Sequence, residues 1–262
     1  MASNFLLPQR NTVHSHARGD SEAMEYAAKA EEAIGDGLRN VRERDGLWIV
    51  TSEVEKFFGD APARVKALAR AIEVNPGTVV ARYLLGRTYR HSGEADKALS
   101  ILEPLVKGNP EEFRAFVEYA LALVATGRPL AEAVAIMNIA TTYGLSDARF
   151  VATLGGLQYM TGDFSSSEKT FNESIRREFP YAEAAAIHFR PSSINLAQSL
   201  KLQGKIYFVR PNFLVVEAEG YPRIVGYASK VGGTPLRAGM RVHFEVDFSA
   251  RSAIATKLAV VQ

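Results

Sequence analysis

The chain contains no cysteine. That one absence excludes disulfide frameworks, thiol nucleophiles and thiolate metal sites. Strong net charge is also missing, since 31 Lys and Arg stand against 29 Asp and Glu. No global attraction to nucleic acid or to a membrane is expected from that balance. No apolar run approaches the roughly 18–20 residues needed to span a bilayer. The opening Met1-Ala2-Ser3-Asn4-Phe5-Leu6-Leu7-Pro8 is apolar too briefly for a signal peptide and lacks a charged beginning. No phosphate-cradling glycine loop is found, because Gly35-Asp36-Gly37 precedes no suitable Lys-Ser/Thr. Gly-x-Ser-x-Gly and His-Glu-x-x-His are absent as well. The five histidines lack metal-ligand spacing outside His14 and His16, which sit in a leader. These absences point to a non-catalytic protein with no cofactor and no metal, expected in the cytoplasm and not in a membrane.

What is present suits a soluble two-domain chain. The 262 residues are 47% hydrophobic and 23% charged, enough to bury a real core. Residues 1–20 read as a flexible leader. Their Arg18-Gly19-Asp20 tripeptide is too short a match to carry meaning. Charge is unevenly spread: from Gly204 onward 8 Lys and Arg face 4 Asp and Glu, so the C-terminal segment is mildly basic.

Glycines set a register before any other signal. Gly59, Gly93, Gly127 and Gly162 follow one another at 34, 34 and 35 residues. Asn75-Pro76 and Asn109-Pro110 repeat at 34 as well. A fixed period of this length marks a stacked repeat array. The unit Val79 to Glu112 carries Leu85-Gly86, Tyr89, Gly93, Ala98, Leu102 and Asn109-Pro110. In these residues the chain resembles the tetratricopeptide repeat family. The other units are 45–78 (Trp48, Gly59, Leu68, Ala71), 113–147 (Phe116, Gly127, Ala133, Ala140, Leu145 in place of the closing proline) and 148–181 (Leu154-Gly155, Gly162, Phe171, Pro180). Residues 21–44 read as one more helix, so the array is expected over 21–181.

Each marker has a physical reason. Gly86 and Gly155 fall where the helices of a hairpin approach closely. The turn glycines suit the left-handed cap of a first helix. Prolines mark breaks or fresh helix starts. Trp48, Tyr89, Phe116, Leu102 and Phe171 are spaced to fill the core between hairpins.

The resemblance implies a curved stack whose inner face is lined by the first helix of each hairpin and binds a protein segment. It places Glu53, Tyr83, Arg87, Arg90, Arg114 and Arg149 on that face, with Tyr159 near the rim. Four arginines on one face suggest an acidic or C-terminal carboxylate partner; a solvated helix face is the bland alternative. Arg87, Leu121 and Gly156 stand where the carboxylate-clamp subgroup has its recurring Asn, so the chaperone-tail specificity of that subgroup is not implied.

Texture changes after Gln203. Strands are expected at Lys205–Arg210, Phe213–Ala218, Arg223–Tyr227, Arg241–Phe248 and Ala253–Val261, with turns at 219–222 and 231–235. Five strands in a short segment fit a small Greek-key barrel of OB type. Gly204, Ile206, Phe208, Ser229, Leu236, Gly239, Val242, Phe244, Ala255 and Leu258 also give it a faint resemblance to cold-shock domains. That resemblance implies base stacking on Phe208, Phe213, Tyr227 and His243, flanked by Lys205, Arg210, Lys230 and Arg241. Val215 and Val225 replace other expected aromatics, so a barrel used for packing or protein contact stays open beside it. The connector 182–203 is expected to continue as helix through Ile187, to break at Arg190-Pro191-Ser192-Ser193, and to pack the joint with His188 and Phe189.

The sequence therefore predicts separate α and β domains: an all-α array, then a five-stranded OB-like barrel. The leading function is a scaffold or adaptor whose groove binds a protein segment. A single-stranded RNA or other nucleic-acid binder acting through the barrel is the second reading. An accessory subunit of a larger enzyme assembly is the third.

Overall fold

In the computed structural model the described residues are 21–40, 44–108, 112–143, 147–176, 179–180, 186–191, 200–227, 230–231 and 234–261. The leader, Asn109-Pro110, Leu145, Ser229 and most of the connector lie outside them. Nine α-helices precede the strands among the described residues: α1 Ser21–Asn40, α2 Asp45–Phe57, α3 Ala61–Val74, α4 Val79–His91, α5 Ala95–Gly108, α6 Phe113–Ala125, α7 Leu130–Thr141, α8 Ala148–Met160 and α9 Phe164–Arg176. The helices pair as the hairpins α2–α3, α4–α5, α6–α7 and α8–α9, over 45–74, 79–108, 113–141 and 148–176.

The same turn joins each pair. Gly59, Gly93, Gly127 and Gly162 have φ between 76° and 81°, and an amide N–H just beyond each glycine donates back across it. These bonds run from Asp60 to Glu55, Glu94 to Tyr89, Arg128 to Leu123 and Asp163 to Gln158 at 2.8–3.0 Å. That six-to-one bond with a left-handed residue satisfies carbonyls the helix end would leave orphaned. The following helix then starts on a capping carboxylate in two cases: Asp60 accepts from the Ala63 N–H at 2.9 Å, and Asp163 accepts from that of Ser166 at 3.0 Å. Within the hairpins, packing is set by missing side chains. A Cβ on Gly86 would lie 2.4 Å from Leu102, and one on Gly155 would lie 2.5 Å from Phe171.

The chain forms two compact units, Met1–Leu105 and Val106–Gln262. In the first, Leu68, Ala71, Ala81 and Leu85 form the centre of a core to which Trp48, Val65, Tyr89 and Ile101 add. In the second, one core runs from α6 through α9 into the sheet without interruption.

Eight strands follow among the described residues: β1 Ile187–Phe189, β2 Lys201–Val209, β3 Leu214–Glu217, β4 Ile224–Gly226, β5 Lys230–Val231, β6 Thr234–Pro235, β7 Arg241–Ser249 and β8 Ala253–Val260. Strands β2, β3, β4, β8 and β7 pair in that order and β7 pairs back with β2, closing a five-stranded barrel. All pairs are antiparallel except β4 with β8. Inward residues alternate with outward ones. Ile206, Leu214, Val216, Ile224, Val242, Phe244 and Val246 fill the interior. The short pair β5 and β6, with Lys230 opposite Pro235 and Val231 opposite Thr234, overlaps the expected loop 231–235.

Two expectations about the connector are corrected. Ile187 is not the end of a helix; it opens β1, which pairs with the last residues of β7. The barrel also starts earlier than Lys205. Residues 201–204 already pair with β7, from Lys201 opposite Glu245 to Gly204 opposite Val242. Gly204 allows this, because a Cβ there would lie 2.5 Å from the Glu217 carbonyl oxygen.

The buried carboxyl of Asp247 on β7 is a local cost. It is 4% exposed. Its Oδ2 accepts from the Thr256 hydroxyl at 3.0 Å, while Oδ1 has no hydrogen-bond partner. Burial pushes this carboxyl above the usual aspartate range, against the weaker opposing pull of Thr256 and Arg190.

Two outcomes follow. Gly86→Val overpacks the α4–α5 contact and costs about 1–3 kcal/mol in a denaturant melt. For Asp247, the folded state holds its proton to higher pH than the unfolded chain, so its contribution to stability improves as pH falls. In thermal melts, wild type therefore gains on Asp247→Asn between neutral pH and the ordinary aspartate value of 3.8.

Candidate functional site

The residues expected to line a groove fall on both compact units, and they meet different fates. In the first unit, Tyr83 is buried, while Arg87 and Arg90 lie half-buried on α4. Glu53 on α2 is exposed and already holds two cations. Its Oε1 accepts from Arg64 Nη2 at 3.0 Å, and its Oε2 pairs with Lys56 at 3.2 Å. Arg90 lies 3.0 Å from the Nε2 of His91.

Around these residues is an open cavity of about 350 Å³, lined by Lys56, Gly59, Ala61, Arg64, Arg87, Thr88, His91 and Ser92. It lies where the C-terminal turns of α2 and α4 face the start of α3. Arg64 is its most constrained member. It is 9% exposed, and its Nε has no hydrogen-bond partner. Burial lowers its pKa, Glu53 opposes that shift, and the positive charge of Arg87 reinforces it. A buried guanidinium is costly unless carboxylates or other acceptors surround it, and the Glu53 carboxylate it uses is shared with Lys56. Arg64, Lys56 and His91 were not among the expected groove residues: Lys56 and His91 lie in the last turns of first helices, past Glu53 and Arg90, and Arg64 lies on a second helix. Arg64 stands on the second helix, one turn after the cap Asp60, where the repeat pattern gives no signal.

In the second unit the expected groove residues are committed internally. Arg114 binds the Glu112 carboxylate through Nε at 2.8 Å and lies over the Phe113 ring. Arg149 pairs with Glu118 at 2.7 Å, and that glutamate is 0% exposed. Tyr159 is not at an open rim. It is 4% exposed, with rings of Phe164, Phe248 and Tyr221 at 4.9, 5.5 and 5.9 Å. Burial, and then Tyr221, push its phenol well above the usual tyrosine value.

The barrel itself covers this face. A Cβ on Gly156 would lie 2.5 Å from Phe189 and 2.8 Å from Phe248. Phe189 and Phe248 stack at 5.6 Å, and Phe248 also stacks over Phe171 at 6.4 Å. One signal in the sequence pointed this way: no charge occurs between Arg149 and Asp163. A helix apolar on every side is covered on every side.

On the barrel, Lys205 stands opposite Arg241, and Gln203 stands opposite His243; Lys205, Arg241 and His243 are exposed. Phe208 and Phe213 meet edge to face at 5.8 Å, so they pack on each other, with Arg210 over Phe208 at 6.0 Å. Tyr227 is 63% exposed, and Lys230 opens β5. The sequence reading passed over Tyr207. It is 47% exposed, but Arg223 covers its ring at 3.8 Å and is held by Glu217 at 2.7 Å. Among the described residues, no helix is long and apolar enough to cross a membrane.

The Arg149–Glu118 pair makes a sharp prediction. Arg149→Ala strands a buried carboxylate and destabilises the fold by about 3 kcal/mol, while Arg149→Leu with Glu118→Leu recovers most of that loss. Urea denaturation of the two variants measures the difference.

No family model matches the sequence, and no curated protein matches it. Solved structures do. A crystal structure of MamA aligns with a TM-score of 0.50 and 15% identity, over 60% of this chain and 91% of that one. MamA from residue 41 onward, from Desulfovibrio magneticus RS-1, aligns at 0.48 with 18% identity, over 62% and 97%. TTC0263, a thermophilic TPR protein of Thermus thermophilus, aligns at 0.47 with 15% identity, over 60% and 86%. At 15% identity the first of these speaks for fold alone. With the 34-residue period and four copies of one glycine turn, the helical region is a tetratricopeptide-like array followed by a closed five-stranded barrel.

Proposed function

We propose that this chain is a non-catalytic interaction scaffold that binds an acidic segment of a protein partner in the pocket between α2, α3 and α4. The carrying observation is that cavity, walled by Lys56, Arg64 and Arg87 with the hydroxyl residues Thr88 and Ser92. Arginine forks suit planar carboxylates, and a segment arriving there meets a cationic wall in which Lys56 and Arg64 share a single glutamate. A tetratricopeptide-like array supports binding of protein segments in general. In this reading the α8 face is unavailable, because Phe189, Phe248 and Tyr221 already fill it. Partner choice falls to the first unit.

The barrel has a structural part in this reading. Its strand order, with a single parallel pair between β4 and β8, supports an OB-type barrel. A nucleic-acid reading draws support only from the exposed Lys205, Arg241, His243 and Tyr227. It is weakened by Phe208 and Phe213, whose rings are engaged with each other.

The test is affinity capture of the tagged chain from native extract, wild type beside Arg87→Glu, with each sample split into untreated and nuclease-treated halves. The expected result is a specific set of proteins that survives nuclease and drops at least roughly tenfold with Arg87→Glu, with the helical circular dichroism unchanged. Equal capture by the variant removes the pocket from the proposal. RNA enrichment, with proteins lost alongside it, transfers the function to the barrel.

A further inference from the structure

The charged residues that line the same pocket are all cationic. Lys56, Arg64 and Arg87 bring three fixed positive charges to it, His91 stands beside them, and no carboxylate is among the lining residues. Glu53 is shared between Lys56 and Arg64. A lone carboxylate entering the pocket supplies one negative charge and two acceptor oxygens. A phosphoryl group supplies close to two charges at neutral pH and three acceptor oxygens.

The donors match the second case better. Arg64 contributes a guanidinium that is nine-tenths buried and whose Nε–H has no acceptor. A buried guanidinium that lacks full hydrogen bonding is costly to the fold, and an anion seated against it in the cavity offsets that cost through its charge. Arg87 stands close enough to Arg64 for the two charges to repel, and a dianion between them turns that repulsion into attraction. Thr88 and Ser92 add neutral hydroxyls to the wall; the Thr88 hydroxyl donates to the Leu84 carbonyl at 2.7 Å. The cavity, about 350 Å³, admits a side chain ending in such a group.

From this cationic lining and the unsatisfied guanidinium we infer that the pocket of Lys56, Arg64 and Arg87 recognises the phosphoryl group of a phosphorylated protein segment. The inference rests on the scaffold reading and narrows its partner: recruitment becomes conditional on phosphorylation.

The experiment uses the full chain labelled with ¹⁵N at arginine, and follows the Nε–H signals of Arg64 and Arg87 by NMR. Inorganic phosphate and acetate are titrated separately at constant ionic strength. The expected result is a saturable shift of both signals with phosphate, with acetate at least about tenfold weaker. Arg87→Gln weakens phosphate binding by roughly tenfold or more. Arg64→Lys keeps the charge but loses the fork, and weakens binding similarly. Because Arg64 is buried, Arg87→Gln decides the matter if Arg64→Lys unfolds. Non-saturating shifts, equal affinity for acetate, or an unaffected Arg87→Gln each overturn the phosphoryl assignment. A failed phosphate titration alongside protein capture that still depends on Arg87 rejects this inference and leaves the scaffold reading standing.

Discussion

The second compact unit depends on one contact: two phenylalanine rings against a helix position with no side chain. Gly156 on α8 lets Phe189 and Phe248 reach the backbone, so any Cβ there would collide with both. Around that point Phe171, Tyr159, Tyr221 and Phe164 continue the ring packing. Aromatic rings bury large areas and prefer stacked or edge-on geometry, and both kinds occur here. The result is a single core shared by two hairpins and the barrel. Strand β1 is part of the same device. It is only three residues long, and its pairing with the end of β7 sets Phe189 beside Phe248.

Covering α8 also closes one face of the second unit's helices. A repeat array offers the inner faces of its first helices, but α8 spends that face on the barrel. The arginines of this unit's first helices are paired as well: Arg149 of α8 with a fully buried Glu118, and the exposed Arg114 of α6 with Glu112. The first unit is arranged differently. There one glutamate is shared between two cations, the Arg64 Nε–H stays unsatisfied, and a cavity remains open.

The array could be read from the sequence because each repeat states its own geometry. A glycine at a left-handed turn, a glycine or alanine at a close crossing, and a proline at a break act within one hairpin. Their 34-residue recurrence makes the reading robust. The four turns and the Gly86–Leu102 and Gly155–Phe171 contacts stand where those residues required. Barrel strands were legible from alternation, but β2 begins before the expected Lys205, and β1 falls where a helix was expected. Both depend on pairing with β7, which no local pattern announces.

The candidate site was only half legible. Arg87 and Glu53 follow from counting along first helices, but their neighbours Arg64, Lys56 and His91 come together through the turn geometry of α2–α3 and the end of α4. Tyr159 and Gly156 sat at positions where repeat proteins bind ligands, and their burial follows from residues 189, 221 and 248, far along the chain. By itself the sequence determined what is local and periodic: hairpins, turns, strand alternation and the lack of thiol chemistry. Only the tertiary structure decided which face stays open and which charges gather around it, because both depend on contacts between residues whose separation in the chain carries no pattern.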